Sequence, residues 1–192
     1  MANSHLAASS SNVQTVSRTW DSVTAHASAK FLVDTNGEPI NARITRKAFT
    51  LTTYTSAAQV GDVICATQLL NGVAMGTDIP FVVYAAQLQD KDDQIFGCEV
   101  IFFNSNVTFG TAGSSPSITD ANGDAELQSI DFTQAAFKDR GDYKINKVSG
   151  LYLPMACVSG TDDVYVAVRL TEVPSTDPTF TASGLILTLW VA

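Results

Sequence analysis

The feature that most constrains this chain is a succession of short apolar, Thr-rich runs separated by turn clusters. From about residue 46 onward they occupy 47–54, 62–67, 79–89, 94–104, 128–132, 150–158, 163–171 and 183–191. Runs this short, rich in β-branched and aromatic residues, read as strands rather than helices. Several alternate with period two. Val164, Val166 and Val168 fall on one side, with Tyr165, Ala167 and Arg169 on the other. Leu185, Leu187 and Leu189 likewise oppose Ile186, Thr188 and Trp190. Asp90-Lys91-Asp92-Asp93 reads as a polar hairpin tip, and GTAGSSP (110–116) and PSTDP (174–178) read as loops. Short helical turns are expected at 124–128 and 133–139. Eight or so strands punctuated in this way predict an all-β fold, an antiparallel β-sandwich or jelly-roll-like domain.

Composition narrows the class further. Only 16% of the residues are charged, against about 25% in ordinary soluble domains. The 21 Thr and 17 Ser supply the missing polarity. With 45% hydrophobic residues in 192, the chain can bury a core, which excludes intrinsic disorder and a coiled coil. A net charge of −8 makes it a poor nucleic-acid binder, since phosphate neutralisation needs cations. Cys65, Cys98 and Cys157 are odd in number and widely spaced, so they read as buried thiols rather than a disulfide framework. No signal-peptide pattern opens the sequence, and no apolar run reaches the roughly 20 residues of a membrane span. Synthesis and folding in a cytoplasm are therefore expected, with no membrane association.

Charge is unevenly placed. Residues 1–50 carry +2, whereas 61–137 carry −9. The Ser/Ala/Asn-rich start reads as a flexible end. Residues 13–29 are compatible with a helix, through Val13, Val16, Trp20 and Val23, and equally with extended structure, through their Thr and Val content. Asn36-Gly37 marks a turn. The organisation expected is an extended or partly helical N-terminal arm, residues 1–45, ahead of a sandwich domain, residues 46–192. Arg18, Trp20, Phe31, Arg43, Arg46 and Lys47 are the candidate protein-interaction residues: a mildly basic arm with an aromatic anchor complements an acidic surface. The plainer alternative packs Trp20 and Phe31 on the chain's own sandwich and leaves the Arg side chains solvated.

Catalytic chemistry is sought without success. His5 and His26 both lie in the leading segment, where a rigid base or metal ligand is not expected. HExxH, CxxC, GxxxxGK[ST], GxGxxG and GxSxG are absent from the sequence. Asp120, Asn122, Asp124 and Glu126 alternate as Ca²⁺ ligands can. The EF-hand pattern nevertheless fails at its glycine and its twelfth position, and an Asx turn leading into a helix explains the same residues. Trp190, within a strand pattern, reads as core or interface. The sequence thus predicts no enzyme, no catalytic residues, no cofactor and no metal.

Three stretches carry a family likeness. They are RKAFTLTTYTSAAQVGDVI (46–64), VIFFNSN (100–106) followed by Thr108-Phe109 and SITDANGDAELQSI (117–130), and DVYVAVRLTEVPSTDPTFTASGLILTLWV (163–191). In these, residues 46–192 resemble the auxiliary head proteins of tailed bacteriophages, of the decoration or cement type. That resemblance implies a β-sandwich or jelly-roll fold, no enzymatic activity and a place on the virion capsid surface. The partner it implies is the phage major capsid protein, with a homo-oligomer, a trimer foremost, as the assembled form. A tail- or fibre-associated adhesin or carbohydrate-binding β-sandwich module is the alternative, resting on fold analogy.

Overall fold

The period-two alternation is the reason two sheets form. In a computed structural model of the chain, which describes residues 13–16, 29–32, 44–174 and 176–192, the inward residues of one strand set face those of the other. The chain divides into two compact units, Met1–Arg43 and Ile44–Ala192. In the first, β1 (Val13–Val16) and β2 (Ala29–Leu32) pair antiparallel, Val13 opposite Leu32 and Val16 opposite Ala29. Both ends of the ambiguous 13–29 stretch are therefore strand. The turn expected at Asn36-Gly37 lies outside the described residues, as do His5 and His26.

The second unit contains β3 (Thr45–Leu51), β4 (Val63–Leu70), β5 (Phe81–Asp90), β6 (Gly97–Phe103), β7 (Glu126–Phe132), β8 (Lys138–Asp139), β9 (Lys144–Met155), β10 (Val164–Glu172) and β11 (Leu185–Val191). One sheet runs β3-β11-β5-β9-β8 and the other β4-β10-β6-β7, with antiparallel pairing throughout. All connections cross between the sheets except β6 to β7 and β8 to β9. Numbered in chain order with the two-residue β8 left out, the eight long strands of this unit interleave as 1-8-3-6 and 2-7-4-5. That nested order is a jelly roll, as the strand pattern predicts.

Between the sheets lies the main core. Leu185, Leu187, Leu189 and Val191 of β11 share it with Val164, Val166, Val168 and Leu170 of β10, and with Cys98, Val100 and Phe102 of β6. The alternation expected for β10 and β11 is thus the one observed. All three cysteines are free and buried. Burial pushes each of their thiols up, which suppresses the reactive thiolate.

A second apolar cluster lies on the far side of the four-stranded sheet. Val63, Ile101, Phe103 and Ala167 point away from the main core and are covered by Val107, Phe109 and Ala125 of the 104–125 connection. The connection is strapped down along β4. Val63 N–H donates to the Ser114 carbonyl at 2.9 Å, Gly113 N–H to the Val63 carbonyl at 2.8 Å, and Phe109 N–H to Thr67 Oγ1 at 3.3 Å. Gly113 has φ +82°, and a Cβ there would overlap the Tyr54 ring, so only glycine fits. β4 is an edge strand, and the strap occupies part of its open side.

Two local expectations are corrected. Asp90-Lys91-Asp92-Asp93 is no hairpin tip: β5 and β6 belong to different sheets, and the segment is a corner between them. Asp90 is the last inward residue of β5 and is fully buried. Its carboxylate accepts the Asp92 N–H at 3.0 Å and the Gln94 N–H, turning the chain where a polar hairpin tip was expected. No helical turn forms at 124–128. The turn comes earlier, α1 (Asp120–Gly123), and the inward Ile130 and Phe132 draw the following residues into β7 from Glu126. At 133–139 the expected turn forms, as the 3₁₀ turn Gln134–Ala136, and is followed by the short strand β8.

Candidate interaction surface

The outer face of the five-stranded sheet has a different character from that of its partner sheet. No described segment other than its own strands contributes to it as the 104–125 strap does to the other. Because Leu189 and Val191 face inward, Trp190 faces out. It stands opposite Arg46 of β3 on one side and Ala85 of β5 on the other. The Arg46 guanidinium carbon lies 6.0 Å from the ring centroid and Lys147 Nζ, from β9, lies 4.3 Å from it. Two cations thus bracket one indole across four strands, held by the attraction of positive charge for an aromatic face.

Two tyrosines extend this surface. Tyr84 follows the inward Val83, and Tyr152 stands between Leu151 and Leu153, which both pack on the core. Their rings meet edge to face with centroids 6.1 Å apart, and Tyr152 is 70% exposed. Ladder register places Ala48 and Thr50 of β3, Gln87 and Gln89 of β5, Ile145 and Ser149 of β9, and Lys138 of β8 on the same side. Among the described residues these positions include no carboxylate, although residues 44–192 hold sixteen carboxylates against eight Lys and Arg. The acids are elsewhere. Glu99 and Asp131 face each other across β6 and β7, Glu99 holding Arg169 at 2.5 Å, and Asp120, Asp124 and Glu126 are exposed just before or at the start of β7.

Of the residues singled out from sequence, Arg46 is on this face. Lys47, one residue on, pairs with the inward Leu189 and turns the other way. Phe31 lies in β2 opposite Gln14. Arg18, Trp20 and Arg43 lie outside the described residues. Lys147, Tyr84 and Tyr152 were not singled out. The period-two pattern of 144–149 places Lys147 on an outward face, but which strands share that face depends on pairing across the sheet.

Other polar groups serve the fold. Lys144 is buried and donates to the Asp93 carboxylate at 2.5 Å and the Asp93 carbonyl at 2.8 Å, with Asp139 4.0 Å away. Beside them, burial pushes the Asp90 carboxyl up to about 6, against the opposing pull of its two N–H donors and of Lys144. A shallow depression lined by Ile95, Gln134, Ala135, Phe137 and Glu172 has one ionisable side chain, Glu172, which accepts the Gln134 N–H at 2.7 Å. Among the described residues no group of three or more His, Cys, Asp or Glu side chains is arranged to hold a metal.

No family model and no curated protein matches the chain. Among solved structures it is similar to the VP2 subviral particle of infectious bursal disease virus, with a TM-score of 0.37 and 6% identity over 92% of this chain. The match covers 36% of that chain, so this sequence spans roughly a third of its length.

Proposed function

We propose that the protein is a non-enzymatic virion structural protein that decorates the head of a tailed phage, binding the major capsid protein lattice and stabilising the mature shell. The observation that carries this reading is where the three family-like stretches fall. They supply most or all of β3, β6, β7, β10 and β11, five of the eight long strands of a jelly roll, and the first two residues of β4. Jelly rolls recur in viral coats as well as in lectins, so the fold agrees with the resemblance without deciding the function.

Such a protein works by differential binding. Whatever binds the assembled shell better than dissociated subunits stabilises the shell by linkage. A trimer that touches several subunits at once adds avidity on the order of 10²–10⁴. Attachment falls to the arm, residues 1–45, with Arg18, Trp20, Phe31 and Arg43 meeting an acidic shell. The test is the stoichiometry of this polypeptide in purified particles. Hundreds of copies per particle are expected; a few to a few dozen would place it on tail or portal and overturn the reading.

A further inference from the structure

We infer that the outer face of the five-stranded sheet is a self-association surface, and that its occupant is the acidic β6–β7 flank of a second copy of this chain. The face combines Trp190, Tyr84 and Tyr152 with Arg46, Lys147 and Lys138. Aromatic residues and Arg dominate the energetic centres of protein interfaces, and Tyr152 is the most exposed large apolar side chain described.

The complement is on the same molecule. From residue 92 to residue 137 the sequence contains no Lys or Arg and seven carboxylates: Asp92, Asp93, Glu99, Asp120, Asp124, Glu126 and Asp131. This stretch builds β6, the strap and β7, on the other sheet. Asp120, Asp124, Glu126 and Asp131 are exposed, and among the described residues only Glu99 of the five on this flank is in an ion pair, with Arg169. Cations free of acids on the outer face of one sheet and acids almost free of cations on the β6–β7 flank of the other give each copy both halves of a head-to-tail contact. Contacts of that kind close into rings or run on as filaments. Nucleic acid and anionic lipid are poorer occupants: three cations in a unit whose acids exceed its bases by eight neutralise few phosphates. The inference stands apart from the proposed function, because it holds whether or not the chain binds a shell.

Charge reversal on the full chain tests it, read by sedimentation equilibrium. One variant carries Arg46→Glu and Lys147→Glu; the other carries Asp124→Lys, Glu126→Lys and Asp131→Lys. The substituted side chains are exposed, and circular dichroism with thermal melting verifies that each variant folds. Wild-type chain is expected to self-associate. Each variant alone should dissociate at least tenfold more readily, and an equimolar mixture should recover mixed oligomers, because each reversed surface then meets an opposite one. Tyr152→Ser, which leaves the charge unchanged, should also weaken association. The mixture separates local pairing from the general repulsion between acidic copies. A wild-type chain that stays monomeric up to its solubility limit overturns the inference, as does association that neither reversal weakens or that mixing fails to restore. A monomer retained on immobilised poly-L-glutamate overturns it too, in favour of a foreign acidic partner.

Discussion

Asp90 shows how one residue can be misread from its neighbours. It opens a run of charged residues, yet it is the last inward position of β5, next in that alternation after Leu88. Its carboxylate caps the corner that carries the chain from one sheet to the other. Its pKa of about 6 lies above the ordinary 3.8, with burial as the main cause and with Asp92, Lys144 and the two N–H groups as the nearby influences. Between those values the folded state holds the proton more tightly than the unfolded state. This group's contribution to stability is therefore full below about pH 4 and is lost as pH rises through about 6. Asp90→Asn imitates the protonated acid at every pH. Its stability relative to wild type should rise between pH 4 and pH 7 in urea unfolding, and a constant difference would refute the assignment. The same lesson applies to Trp190, whose outward position is visible in LILTLWV, whereas its two cations come from strands about 140 and 40 residues earlier.

At the level of elements, strands are legible wherever one face is buried, because the side-chain period of two then writes itself into the sequence. LILTLWV and DVYVAVRL are of this kind, and β10 and β11 form where they predict. Partners are not legible. The corner at 90–93 resembles a hairpin in composition, and the sheet to which β6 belongs is decided by ladders with β10 and β7. β8, two residues long, is strand only because Ile145 and Lys144 lie opposite it. The 104–125 strap is harder still to foresee, since its loop-like residues cover a second apolar cluster. Phe109 is 2% exposed within that cluster and contacts Phe103 at a centroid distance of 5.8 Å. Phe109→Ala should lower unfolding stability by about 3–5 kcal/mol, with faster amide exchange at residues 110–117 as the strap loosens. Unchanged exchange there would show that the backbone bonds to β4 hold the strap unaided.

For the molecule as a whole, the described charges divide between faces, with Arg46, Lys138 and Lys147 on the outer face of the five-stranded sheet and Glu99, Glu126 and Asp131 on β6 and β7 of the other sheet. In the proposed reading the arm and the sheet face have separable roles, shell attachment for the first and contact between copies for the second. Removing residues 1–30 should abolish occupancy on stripped particles while leaving self-association intact. Full occupancy by the truncated chain would end the case for the arm.

The place of β11 has a consequence for synthesis. It sits between β3 and β5, so Leu185 pairs with Leu51 on one side and with Asp90 on the other. The place between β3 and β5 therefore stays vacant until about a hundred residues beyond β5 have been translated and Val191 has cleared the ribosome. Until then β3 and β5 have open edges toward each other, and the core lacks Leu185, Leu187 and Leu189. Completion of the sandwich consequently waits for β11 and is paced by closure over a long stretch of chain. A nascent chain stalled before residue 185 should remain a substrate for chaperones and proteases even though most of its strands have been made.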